Sequence, residues 1–151
     1  MVVKRVFAMA ILAVTLFFAF FPSVSVGTLK VTIIAKGELK VEAKMVDLKA
    51  YSFNWENITN EVNLTFTNKS EDLTVLMPTG NYNKIKFRIV NASINLNGNL
   101  TSLEVSQEEY TVEVNFTIKS RLEMKMVIEL KYDEEALTQH KLNLITKVFT
   151  F

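Results

Sequence analysis

The sequence predicts an all-β domain, an antiparallel two-sheet β-sandwich with at most one short helix near residues 133–139, and three observations carry that expectation. Apolar side chains recur at every second position with polar ones between them, the period of a strand with one buried face. The runs are short and divided by turn residues. Asn97-Gly98, and Pro78 with Gly80, stand between such runs, where a chain must reverse. Strands of this kind wet one face and bury the other, which is the antiparallel habit.

Taken in order, Leu29, Val31, Ile33 and Ala35 share one parity, and Leu39, Val41, Ala43 and Met45 repeat it after "KGE". A strand is expected over Glu61–Asn68, with Val62, Leu64 and Phe66 inward and Asn63, Thr65 and Thr67 outward. "DLTVLM", "KIKFRIV", "SINLN" and "LTSLEV" follow as separate short runs. Asn97-Gly98 suits a type I′ hairpin, whose two central residues both need positive φ. Tyr110, Val112, Val114, Phe116 and Ile118 alternate with polar residues, as do Leu122, Met124, Met126, Ile128 and Leu130. "DEEALTQ" reads as one helical turn with Asp133 as its N-cap, ahead of a last strand over Lys141–Phe151.

Residues 1–25 read as a secretory leader: Lys4 and Arg5, an apolar run from Val6 to Phe21, then Pro22, Ser23 and Ser25. Residues 26–151 are then a single β-sandwich domain, long enough for one real core. The expected localisation is secreted or extracytoplasmic at the cell surface, with a membrane contacted only through an uncleaved leader. No cysteine is present, so the fold relies on burial and sheet pairing, and the absence leans toward a prokaryotic source, an archaeal one being expected from the leader together with the N-x-[ST] tripeptides. With 17 basic and 16 acidic residues interspersed, a net charge of +1 predicts no strong field for nucleic acid or for an anionic membrane.

The stretch "LMPTGNYNKIKFRIVNASINLNG", followed by strands ending in "ELKYD", carries Leu76, Pro78, Gly80, Tyr82, Ile85, Lys86 and Gly98 in a suggestive order. Over roughly residues 38–135 the chain resembles the domain-of-unknown-function family 4382 of secreted prokaryotic proteins. The resemblance implies an extracytoplasmic sandwich, transthyretin-like or immunoglobulin-like, with no catalytic residues to carry over. The Asp-Ala-Pro that commonly opens that family's domain is missing here.

Chemistry-bearing patterns are sparse. His140 is the only histidine and no cysteine joins it, so zinc sites of the usual ligand types are not expected. Glu108-Glu109 and Asp133-Glu134-Glu135 are the paired carboxylates, but neighbours in sequence diverge on a strand, and such clusters read as solvated turn charges. No calcium loop of EF-hand spacing is present. The reading is accordingly of a non-enzyme, with no catalytic residues, metal or cofactor.

Tyr51, Phe53 and Trp55 share one parity and are expected in the core, since one buried aromatic removes about 150 Å² or more from water. The alternative is a carbohydrate or ligand surface on which sugar rings stack. The C-terminal "KVFTF" places Phe149 and Phe151 for packing on an adjacent strand or for self-association, as in a surface filament or surface layer. Other cell-surface proteins and glycans are the remaining partners expected.

Six N-x-[ST] tripeptides, at Asn57, Asn63, Asn68, Asn91, Asn99 and Asn115, are the glycosylation candidates. Alternation produces some of them unaided, because positions i and i+2 share a strand face. Asn57, Asn68 and Asn99 are expected beside turns, where acceptors are easiest to reach. Together these features predict an exported structural or adhesive module that is N-glycosylated.

Overall fold

A computed structural model describes residues 25–151, so that all of the expected leader except Ser25 lies outside the described residues. The described residues form eleven strands and one short helix; nine of the strands make two stacked sheets, an all-β sandwich as the alternation predicts.

The first sheet contains β1 (Val26–Lys36), β4 (Lys69–Pro78), β9 (Glu123–Tyr132) and β11 (Leu144–Thr150), in the order β11-β9-β1-β4. β1 runs antiparallel to β4, from Val26 opposite Pro78 to Ala35 opposite Lys69. Its other neighbour is parallel, with Thr28 opposite Glu123 and Lys36 opposite Lys131. It is the one parallel pair in an otherwise antiparallel sheet. Alternation decides which face of a strand is buried, and says nothing about the direction of a partner almost a hundred residues away.

The second sheet contains β2 (Val41–Tyr51), β3 (Trp55–Thr65), β5 (Gly80–Leu96), β6 (Asn99–Ser102) and β8 (Glu109–Ile118). β5 is central: β2 lies along one edge, while β8 and β6 share the other. The expected separate runs "KIKFRIV" and "SINLN" are one strand of 17 residues. Asn91, at φ 54°, makes a bulge between them, and the pairing with β2 shifts there. A second bulge lies at Asp47, also at φ 54°, whose carboxylate accepts from Arg88 Nε at 3.1 Å and Nη2 at 2.8 Å. β7 (Glu104–Val105) and β10 (Lys141–Leu142) form a two-residue parallel bridge, so the expected last strand is interrupted at Asn143. The strand expected over Glu61–Asn68 begins earlier, at Trp55, and ends at Thr65, with Asn68 in the following turn at φ 60°.

Helix α1 (Glu134–Thr138) is the single turn that "DEEALTQ" suggests, and Asp133 Oδ1 accepts from the Glu135 amide at 3.1 Å as its N-cap. Asn97 and Gly98, at φ 53° and 83°, make the expected tight hairpin, with Asn95 Oδ1 accepting from the Gly98 amide.

The core lies between the sheets. Leu29, Val31, Ile33, Met126, Ile128 and Leu130 from the first sheet and Met45, Leu48, Ile85, Phe87 and Ile89 from the second are at most 1% exposed. Each such side chain contributes about 1.5–3 kcal/mol relative to an exposed one. Tyr82 stacks on Phe116 with centroids 5.1 Å apart, and Tyr110 on Phe87 at 5.3 Å. The polar end of each tyrosine is bonded: Tyr82 donates to the Pro78 carbonyl at 2.7 Å, and Tyr110 accepts from the Leu144 amide at 3.3 Å.

Candidate functional site

Strand direction gathers one set of side chains at a single end of the sandwich. β2 finishes at Tyr51, the turn Ser52–Asn54 reverses the chain, and β3 starts at Trp55 directly opposite Tyr51. The Ser52 amide closes this turn on the Asn54 carbonyl at 3.2 Å. Cross-strand partners share a face, so the two rings meet, with centroids 5.0 Å apart and planes tilted by 56°. Phe53 sits at the tip and is 91% exposed.

The core expectation for these three aromatics is therefore overturned. None is buried, and they are not a row along one strand, because a hairpin turn falls between Tyr51 and Trp55. The parity they share in sequence is an accident of a three-residue turn.

Two lysines complete the cluster: Lys86, named above only for the family resemblance, and Lys84, which the sequence did not single out. Lys84 and Lys86 flank inward-facing Ile85 on β5, and their outward parity carries them over the aromatic pair. Lys84 Nζ lies 4.6 Å from the Tyr51 centroid and 5.6 Å from that of Trp55, while Lys86 Nζ lies 4.1 Å from the Trp55 centroid. These are cation–π distances. The signal was the "KIK" alternation beside an aromatic hairpin, but it becomes visible only once the β2–β5 register is known.

The turn joining β8 to β9 belongs to the same end. The Arg121 amide donates to the Val26 carbonyl at 3.1 Å, and the Thr28 amide to the Leu122 carbonyl at 2.9 Å. The Thr79 amide donates to Ser25 at 3.0 Å, and Gly80 faces Ser52. Through these contacts the chain's arrival at β1, the Arg121-Leu122 turn and the Phe53 hairpin form one continuous surface. Leu122 on it is 58% exposed.

The six sequon asparagines are all exposed. Asn57 and Asn63 lie in β3, Asn115 in β8 and Asn91 at the β5 bulge, while Asn68 and Asn99 stand in or directly after turns. Asn57 lies two residues inside β3 rather than in the turn itself, and its amide donates to Asn60 Oδ1 at 3.2 Å. The structure thus scatters these sites over the second sheet, its bulge and its turns and gathers them nowhere.

His140 is exposed at φ 58° just after α1, and Glu108, Glu109, Glu134 and Glu135 are exposed as well. Burial raises the pKa of Tyr82, helped by the nearby Glu56 carboxylate. Burial likewise raises that of Tyr110, partly offset by the hydrogen bond from Leu144. Both phenols are structural, with their hydroxyls engaged by backbone. A groove of about 460 Å³ crosses the outer face of the first sheet between Lys30, Asp72, Lys125 and Phe151, away from the aromatic hairpin. β11 borders the first sheet, and Ile145, Phe149 and Phe151 on its outer side are 52%, 45% and 74% exposed, so neither phenylalanine is absorbed by an adjacent strand.

Comparison with protein-family models, with curated proteins and with solved structures finds no match to this chain.

Proposed function

We propose that this protein is an exported cell-surface module of structural or adhesive role, non-enzymatic and N-glycosylated. One observation carries the reading: the side chains of all six sequon asparagines, spread over strands, a bulge and turns, face solvent. Glycans on them would cover the second sheet without disturbing the core. The resemblance of Leu76–Gly98 to the domain-of-unknown-function family 4382 supports the same reading. Intact mass of the protein purified from its native host, before and after deglycosylation, is the test. A glycan-sized decrease is expected, and a mass equal to that of the bare polypeptide in both samples would remove the glycoprotein reading.

A second reading, self-association through the last strand, is favoured by β11. It is an outer strand of its sheet and presents Ile145, Phe149 and Phe151 outward, with Lys147 the one charge among them on that side. Replacing Phe149 and Phe151 with Ser should abolish filaments or oligomers of the native protein. Unchanged assembly would eliminate this reading. Sugar binding by Tyr51, Phe53 and Trp55 has less support, because Lys84 and Lys86 already lie over the ring faces on which a sugar would stack.

A further inference from the structure

The Phe53 end of the sandwich combines three features that belong together at a lipid–water boundary. Large apolar side chains protrude from it: Phe53 at 91% exposure from the β2–β3 turn and Leu122 at 58% from the β8–β9 turn, which crosses between the sheets. Behind the Phe53 tip sit Tyr51 and Trp55, amphipathic rings of the type that settle at headgroup level. Lys84 and Lys86 lie over these rings, and Lys119 and Arg121 belong to the β8–β9 turn at the same end; none of the four is in a salt bridge among the described residues. The acidic groups of this end are Glu56, beside Tyr82, Glu113, opposite Lys84 on β8, and Glu123, which pairs with Lys30 at 3.1 Å. The balance there is positive although the chain as a whole carries only +1.

The length of chain ahead of β1 points to the same occupant. The apolar run Val6–Phe21 ends five Cα steps before Val26, and five steps reach at most about 17 Å. Val26 enters the sandwich beside the Arg121-Leu122 turn, at this end and not the opposite one. While that run sits in a bilayer, this end of the domain is held at the bilayer surface.

We propose that this end is a membrane-docking face that seats on an anionic phospholipid surface. Phe53 and Leu122 enter the acyl boundary, Tyr51 and Trp55 lie at the headgroups, and the four cations meet lipid phosphates. The proposal deepens the cell-surface reading and rests on it for the presence of a bilayer.

Trp55 is the only tryptophan in the chain, which makes it a built-in probe. The full chain is reconstituted in vesicles of phosphatidylcholine and phosphatidylglycerol, with and without brominated acyl chains, and Trp55 emission is recorded. The expected result is a blue shift, quenching by the brominated lipid and protection from aqueous acrylamide. Phe53→Ser with Leu122→Ser should abolish that quenching while the circular dichroism of the sheets stays unchanged. Arg121→Glu, at an exposed turn, should weaken docking about fivefold or more.

A Trp55 that stays open to acrylamide and unquenched by brominated lipid in vesicle-anchored protein overturns the proposal. So does protection from acrylamide that rises with protein concentration in the absence of lipid, which would mark a second copy of the chain as the occupant. If the native host removes the apolar run, the mature protein should still sediment with anionic vesicles, and failure to do so also overturns it. Protease accessibility of the protein in intact cells tests export separately. A protein found inside the cell would defeat the cell-surface reading and leave the vesicle result standing on its own.

Discussion

The hydroxyl of Tyr132 accepts two backbone hydrogen bonds, from the amides of Glu38 at 2.8 Å and Leu39 at 2.9 Å, and its ring fills the space that a side chain at Gly37 would need. The reversal between β1 and β2 is thus built on a residue more than ninety positions later. Tyr132→Phe leaves two part-buried amides without their acceptor and should cost about 1–3 kcal/mol in urea unfolding. Gly37→Ala should destabilise at least as much, because the clash is with an aromatic ring held at both ends. A Gly37→Ala variant as stable as the parent would show that this ring can move aside.

Stability should decline in alkali through two particular tyrosines. Burial raises the folded pKa of Tyr82 and Tyr110, while an unfolded tyrosine ionises near pH 10. The stability contributed by keeping these phenols protonated is complete below about pH 10 and is lost as pH rises through their higher folded values. Urea midpoints measured over an alkaline series should fall in this window. The fall should be shallower in a protein carrying Tyr82→Phe and Tyr110→Phe, and an equal slope would assign the effect to other groups.

Gly98 stands at φ 83° with nothing within 4 Å of where a Cβ would be. Gly98→Ala therefore meets no clash and tests backbone strain alone. A loss of about 1 kcal/mol is expected. Asn97 at φ 53° already tolerates this region, so Gly98→Asn should recover part of the loss.

Thr146 turns its hydroxyl inward from β11, where it finds no hydrogen-bond partner among the described residues. Thr146→Val keeps the shape and removes the unpaired oxygen. Thermal unfolding should show stabilisation of about 1 kcal/mol. A destabilised variant would mean that the hydroxyl is satisfied by water.

Much of this architecture was legible from alternation alone. Leu64 and Phe66 are buried while Asn63 and Thr67 are exposed, as their parity requires. The Asn97-Gly98 turn and the Asp133 cap were also readable, because each depends on a few adjacent residues. The aromatic hairpin was not, since Tyr51, Phe53 and Trp55 show the same parity whether they continue a strand or reverse around a turn. Neither was the continuity of β5 through Asn91, because a bulge residue at positive φ looks in sequence like a turn residue.

The sequence by itself determined which side of each strand meets the core, where the tightest turn falls and that six asparagines stand in acceptor tripeptides, because these are short-range properties with a period of two. Only the tertiary structure decided that β1 lies parallel to β9, that Lys84 and Lys86 cover the Tyr51–Trp55 pair, and that Phe53 and Leu122 emerge at the end where the chain enters. Strand partners are chosen by the burial of whole faces against residues distant in the chain. No local pattern encodes that choice.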